Sequence, residues 1–296
     1  MSEPKQTTRR CHWVSQSYLR TFAADPDTRQ KIWRFSKNEG APELKPIEKV
    51  AVKFHLYAPK RPDGRRDDWL EKKLADLETW FGTSIWKAVC TDFPDLSWKP
   101  LRKMLALLVA TTYLRNPLQF EQTKNIHRQL VDLISSGPAL PGTIAINGVV
   151  HPVDPHDWPA YRDASEDDLK RAWGEHVSTA GWLAEMLLKM RWAVVFSEGP
   201  VFITSDNPVM IVHPSLKFRG LKNPEITVTF PLSPTRILIM DNRHGEPDAQ
   251  YYPLRQGPGN LNGLIWRNAI EHMFAPRHPD IICGEMLADA ERMGFA

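Results

Sequence analysis

His12, Gln16 and Arg20 stand four residues apart, so a helix reaching back to His12 would carry them as one polar stripe beside the apolar stripe of Val14, Tyr18 and Phe22. A histidine can act near neutral pH as acid, base or metal ligand, and Gln16 and Arg20 could orient it or hold a phosphate. Packing or capping at a helix start is the plainer role for the same histidine. Glu71 and Glu78 share a helical face with Leu74, about 10 Å apart along the axis. Two carboxylates at that separation cannot chelate one ion unaided, so a metal site would need His12, Asp206 or Arg115 to complete it. Salt bridges to Arg20 or Arg115 explain the same carboxylates without chemistry. In Asp206-Asn207-Pro208 the Asp and Asn can turn the chain by bonding its backbone while Pro fixes a dihedral. Such a turn at a sheet edge also offers an exposed, rigid carboxylate suited to catalysis or metal binding. Arg115 falls near a helix end, where the dipole favours positive charge and an anion contact is an equal claim.

Other chemistries find little support. The remaining histidines considered, His127, His151, His156, His176, His272 and His278, lack the spacing of H-E-x-x-H, Ser205 lacks the G-x-S-x-G elbow, and no phosphate-cradling glycine loop is present. Cys11, Cys90 and Cys283 are isolated, which argues against a zinc knuckle or disulfide scaffold and fits a reducing compartment. Thirty-eight Lys and Arg against 35 Asp and Glu leave a net charge of +3, far from the surplus of a protein that coats nucleic acid. The tryptophans at 69, 80, 86, 173 and 182 lie on expected helices, where core packing is commoner than base stacking.

These residues need elements to position them. Residues 12–22 read as a short helix, residues 31–36 as a strand with Trp33 and Phe35 on one side, and residues 67–89 as a long amphipathic helix weakened by Gly82. Residues 99–115 form a helix apolar on nearly all sides, interrupted by Pro117 and resumed as a more polar helix over residues 118–135. The proline-rich residues 138–164 read as a surface excursion with a small hairpin around Asn147-Gly148. Ser165 and Asp168 cap a helical stretch that runs to Arg191. Five short apolar runs follow from residue 193 to 240 in the pattern of an antiparallel sheet, then a last helix over residues 261–274. The order predicts an α+β fold, with a helical N-terminal and central part (1–191) packed on a C-terminal, mainly antiparallel sheet (192–296), within one domain spanning residues 1–296. Residues 1–9 read as a tail. No segment has the apolar length of a membrane span or leader peptide, so a cytoplasmic protein is expected.

The opening run His12-Trp-Val-Ser-Gln-Ser-Tyr18-Leu-Arg20-Thr-Phe22 resembles the signature of a bacterial family catalogued as domain of unknown function 4238. Its usual form is His, aromatic, Val, Pro, Gln, aromatic, Tyr, Leu, Arg, any residue, Phe, from which Ser15 and Ser17 depart. The resemblance continues through Lys49-Val50, Tyr57, Glu71 and Glu78, Arg115-Asn-Pro117, Phe202-Ile-Thr-Ser-Asp-Asn-Pro-Val209, Phe230-Pro-Leu-Ser-Pro234, Asn262 and Ala269. The family name carries no reaction. It implies a bacterial protein, some of whose relatives are linked to defence against bacteriophage. The expectation formed from motif and resemblance together is an anti-phage effector acting as a metal-assisted nuclease or another phosphodiester hydrolase. His12, Glu71, Glu78 and Asp206 would be catalytic, Gln16, Arg20, Arg115 and Asn207 would contact substrate, a divalent metal ion would assist, and nucleic acid or a phage component would be the partner. The alternative is a non-enzymatic sensor or protein-interaction module, whose same polar residues tie the N-terminal helix to the sheet.

Overall fold

A computed structural model describes residues 10–38, 40–146, 148–215 and 220–294; the expected tail at residues 1–9 lies outside them. β1 (Arg10–His12) leads into α1 (Gln16–Leu19), which a 3-10 turn over Arg20–Phe22 prolongs, and β2 (Lys31–Ser36), β3 (Glu43–Pro46) and β4 (Val52–Phe54) follow. Next come α2 (Trp69–Glu78), α3 (Ser84–Thr91), α4 (Lys99–Leu114) and α5 (Pro117–Ser135), then the hairpin of β5 (Thr143–Ile146) and β6 (Val149–Pro152). After α6 (Trp158–Arg162), α7 (Glu166–Ser178) and α8 (Ala180–Leu188) the chain forms β7 (Arg191–Phe196), β8 (Thr204–Ser205), β9 (Met210–Val212), β10 (Thr227–Ser233), β11 (Arg236–Asp241) and β12 (Gln250–Pro253). α9 (Gly259–Asn268), β13 (His272–Ala275) and α10 (Pro279–Arg292) complete it.

The fold is α+β. One sheet has the order β12-β7-β11-β10-β9, antiparallel except for the parallel β12–β7 pair. A second has the order β3-β2-β13-β8 and is antiparallel throughout. Because β2 and β3 come from the first fifty residues, the sheets are not confined to the C-terminal part as the sequence order suggested. β2 pairs with β13 from Trp33 opposite Ala275 to His272 opposite Ser36, so both ends of the chain build one sheet.

That sheet separates two apolar cores. Alternation along β2 sends Ile32 into the larger core and Phe35 into the smaller one, with Trp33 packed beside Phe35. Phe274 joins Ile32, while Met273 and Ala275 join Phe35. The larger core holds α4, whose Leu105, Ala106, Val109 and Ala110 are fully buried, and α4 packs along α8. An apolar helix of this kind is stable only inside such a core.

Several local expectations change in the fold. The expected helix of residues 67–89 is divided: α2 ends at Glu78, a 3-10 turn spans Thr79–Gly82, and Thr83 recaps α3 by accepting from the Trp86 amide at 3.3 Å. The stretch from Ser165 to Arg191 breaks at Thr179 into α7 and α8 and then enters β7. The helix expected over residues 261–274 stops at Asn268, and the chain enters β13 at His272. The expected hairpin forms with Ile146 opposite Val149; Gly148 takes φ +79°, the left-handed region such a turn requires, and Asn147 lies outside the described residues. Among the described residues no helix is long and apolar enough to cross a membrane.

Candidate functional site

The signature residue His12 does not begin a helix. It ends β1, opposite Val52 of β4, and alternation along this short pair sinks Cys11 fully into the core and leaves His12 half-buried. Both ring nitrogens of His12 are engaged: Nδ1 lies 3.3 Å from Gln16 Nε2 and Nε2 lies 3.1 Å from the Glu48 carbonyl. An amide nitrogen can only donate and a carbonyl can only accept, so this arrangement matches the neutral tautomer with its proton on Nε2. Burial lowers its pKa and reinforces that neutral state.

Arg115 caps the C-terminal end of α4 and is buried. Its guanidinium donates to Glu78 Oε1 at 2.5 Å and to the His12 carbonyl, and its Nε lies 3.4 Å from the Tyr57 hydroxyl. Tyr57 in turn donates to the Arg115 carbonyl at 2.6 Å. Glu71 sits about two turns before Glu78 on the same face of α2; the Cys11 thiol acts on its carboxylate, and its Oε1 is buried with no hydrogen-bond partner among the described residues. Burial pushes the Glu71 carboxyl up, toward its neutral form. Burial first, and Glu71 second, push the Cys11 thiol up to about 12. One cation therefore holds together the end of α4, the end of α2 and the end of β1.

Asp206 was expected as an exposed carboxylate; it is 2% exposed. Its Oδ1 accepts the Ile270 amide at 2.7 Å, and its Oδ2 accepts the Glu271 and His272 amides at 2.9 Å each. Burial raises its pKa, against the lowering effect of these three bonds. The same bonds end α9, because they take up the amides of residues 270–272, which pass through bends at Ile270 and Glu271 into β13 where the helical period would have continued. Asn207 donates to the Asn268 carbonyl at 2.9 Å, and Asn268 returns bonds to the carbonyls of Asn207 at 2.7 Å and Val209 at 3.0 Å. Asn116 donates to the Asp206 carbonyl and to Asn207 Oδ1, both at 3.1 Å. Trp13 Nε1 donates to the Asp206 carbonyl at 2.8 Å.

The predicted residues thus fall into three places. His12, Gln16, Glu71, Glu78 and Arg115 form one polar hub. Asp206 and Asn207 form a second, joined to the first through Trp13 and Asn116, the chain neighbours of His12 and Arg115. Arg20 belongs to neither; it is exposed and lines a different cleft, with Arg29 and Lys87. Among the described residues no group of three or more His, Cys, Asp or Glu could hold a metal ion. Asp206 backs onto a cleft of about 350 Å³ whose walls include Trp13, Lys49, Glu121, Glu271 and His272. Burial lowers the His272 pKa, and its Nδ1 stands 3.9 Å from Asp206 Oδ2.

The sequence reading missed Cys11, Trp13, Asn116, Asn268 and His272. Cys11 and Trp13 flank His12, and Asn116 sits in the Arg115-Asn-Pro117 segment already singled out, so adjacency was the available signal. Asn268 and His272 had none, since they act only through a contact some sixty residues away.

The family described as Protein of unknown function (DUF4238) matches residues 10–275, a span that contains both hubs and the Arg20 cleft. No curated protein matches the chain, and no solved structure does. A match over that much of the sequence makes the chain a member of the DUF4238 family.

Proposed function

We propose that the chain is a non-enzymatic sensor or protein-interaction module, in which the signature residues latch the N-terminal segment to the helices and the second sheet. The observation that supports this most directly is that the hub is engaged from within: both His12 nitrogens, the Arg115 guanidinium and the Asp206 carboxylate all bond to the protein itself, and Glu71 Oε1 alone among the hub's carboxylate oxygens is buried without a partner among the described residues. A metal-assisted phosphodiester hydrolase would need carboxylate oxygens and an imidazole nitrogen facing one shared solvent space. Here Glu78 is drawn to Arg115 and Asp206 to three backbone amides. In the bacterial anti-phage setting that the family resemblance implies, such a module would act in the cytoplasm by registering a nucleic acid or a phage component, with its own fold as the reporting element.

The test pairs chemistry with stability. Purified protein is assayed against bis(4-nitrophenyl) phosphate and against single- and double-stranded nucleic acid with Mg²⁺ or Mn²⁺, alongside Asp206→Asn and His12→Ala. The expected result is no turnover above background and a lower Tm for both variants. Metal-dependent cleavage that Asp206→Asn abolishes at an unchanged Tm would overturn the reading in favour of the hydrolase.

A further inference from the structure

We propose that the cleft between the Arg20–Phe22 turn and α3 binds a small organic phosphate of the nucleoside di- or triphosphate class. This goes beyond the sensor reading and uses none of the hub residues, so either can fail without the other.

The cleft measures about 600 Å³, within the roughly 300–1,000 Å³ typical of small-ligand sites and far more than inorganic phosphate needs. Arg20, Arg29 and Lys87 line it, and among the described residues no Asp or Glu does. None of these three cations forms an ion pair among the described residues. Surface cations of a nearly neutral chain ordinarily lie among carboxylates, so three facing one cavity without any constitute an anion-attracting field. A fourth positive charge stands behind the wall: Arg236 is buried and, among the described residues, donates only to the carbonyls of Cys90 and Thr91 and to the Thr235 hydroxyl, with no carboxylate partner.

The cleft is also built rather than incidental. Arg29 has φ +50°, a conformation disfavoured for a residue with a Cβ. Asp25 holds it there by accepting from Thr28 and from the amides of Gln30 and Lys31 at 3.1 Å and 3.0 Å. Ser17 and Ser84 line the same space, and a serine hydroxyl is a neutral donor. Phe81 and Trp86, packed edge to face at 4.8 Å, form an apolar floor suited to the organic part of a ligand. A polymer is the poorer fit, because only three cations line the cleft and the chain carries a net charge of only +3.

The test is calorimetric titration of the full chain with the four ribonucleoside triphosphates, adenosine, inorganic phosphate and a single-stranded DNA oligonucleotide. At least one triphosphate should bind ten-fold or more tightly than inorganic phosphate, with adenosine undetectable. Arg20→Gln, Arg29→Asn and Lys87→Gln should each weaken it at least ten-fold, and Lys103→Gln, an exposed charge outside the cleft, should not. All three altered side chains are exposed, so Tm should hold, and asparagine tolerates the left-handed backbone at position 29. Absence of triphosphate binding, binding indifferent to the three substitutions, adenosine binding as tightly as the triphosphates, or tighter binding of the oligonucleotide would each overturn the proposal.

Discussion

Arg115 and Glu78 meet at 2.5 Å, with the arginine side chain 5% exposed and the glutamate side chain 25% exposed. The pair is asymmetric: Glu78 has water on one side, whereas Arg115 has only Glu78, the His12 carbonyl and Tyr57 to receive its protons. Removing one partner of a buried pair leaves the other uncompensated, at a cost of about 3 kcal/mol or more. Glu78→Gln should therefore destabilise the protein by about that amount in urea unfolding. Arg115→Met should cost more, because it also strands the His12 carbonyl. Equal losses would mean that the bonds to His12 and Tyr57 contribute little.

The Asp206 turn makes a second, separable prediction. Asp206→Ala leaves the amides of residues 270–272 without their acceptor in a buried place, where each unmet group costs about 1–3 kcal/mol. Partial access of water reduces the sum, so an overall loss on the order of 3 kcal/mol is expected. Hydrogen exchange should locate it: protection should fall first at Ile270, Glu271 and His272. Uniform loss of protection across the chain would indicate that the turn stabilises the whole fold and not this junction.

What the sequence made legible depended on the range of the interaction. The capping box at Ser165 and Asp168 is local, and it forms as read. The apolar run of α4 needed only its own composition, and Gly82 marked the place where the expected long helix breaks. His12 was misread as helical because its pairing with Val52 lies forty residues away, while the i to i+4 spacing to Gln16 was visible and is realised by a hydrogen bond outside any helix. The end of α9 was illegible for the same reason, since Asp206 imposes it from a distant turn. β12 and α10 were not anticipated, although His278-Pro279-Asp280 carries the start of α10, with Pro at its first turn and His278 accepting from the Asp280 amide. Of the candidate site, the residue types in the hub were recognisable and their bonding to one another was not, because that is a property of geometry alone.

The same capping box offers a calibrated check on local stability. Ser165 Oγ accepts the Asp168 amide at 3.2 Å, and Asp168 Oδ2 accepts the Ser165 amide at 2.9 Å. Ser165→Ala removes one of these reciprocal bonds and should cost about 1 kcal/mol. Differential scanning calorimetry of the variant should show a small fall in Tm. A loss as large as that of Asp206→Ala would mean that α7 depends on its cap far more than an exposed helix start should.

The last prediction concerns the sign of a pH dependence. Burial raises the Glu71 pKa above its ordinary 4.5, so the folded protein holds the Glu71 proton more tightly than the unfolded chain does. A raised carboxyl pKa contributes stability that is complete below the unfolded value and is lost as pH rises through the folded value. The Cys11 thiol, pushed up to about 12, stays protonated throughout and keeps its bond to the carboxylate, which moderates the loss without reversing it. Glu71→Gln cannot ionise and places a neutral group of similar shape in the same position. The wild-type advantage over Glu71→Gln should therefore shrink as pH is raised from 4 to 8, and the variant should equal or exceed wild type at the upper end. Thermal melts of both proteins across that range decide the matter. A wild-type advantage that instead grows with pH would show that the ionised carboxylate is the stabilising form, held by Arg115 more strongly than burial opposes it.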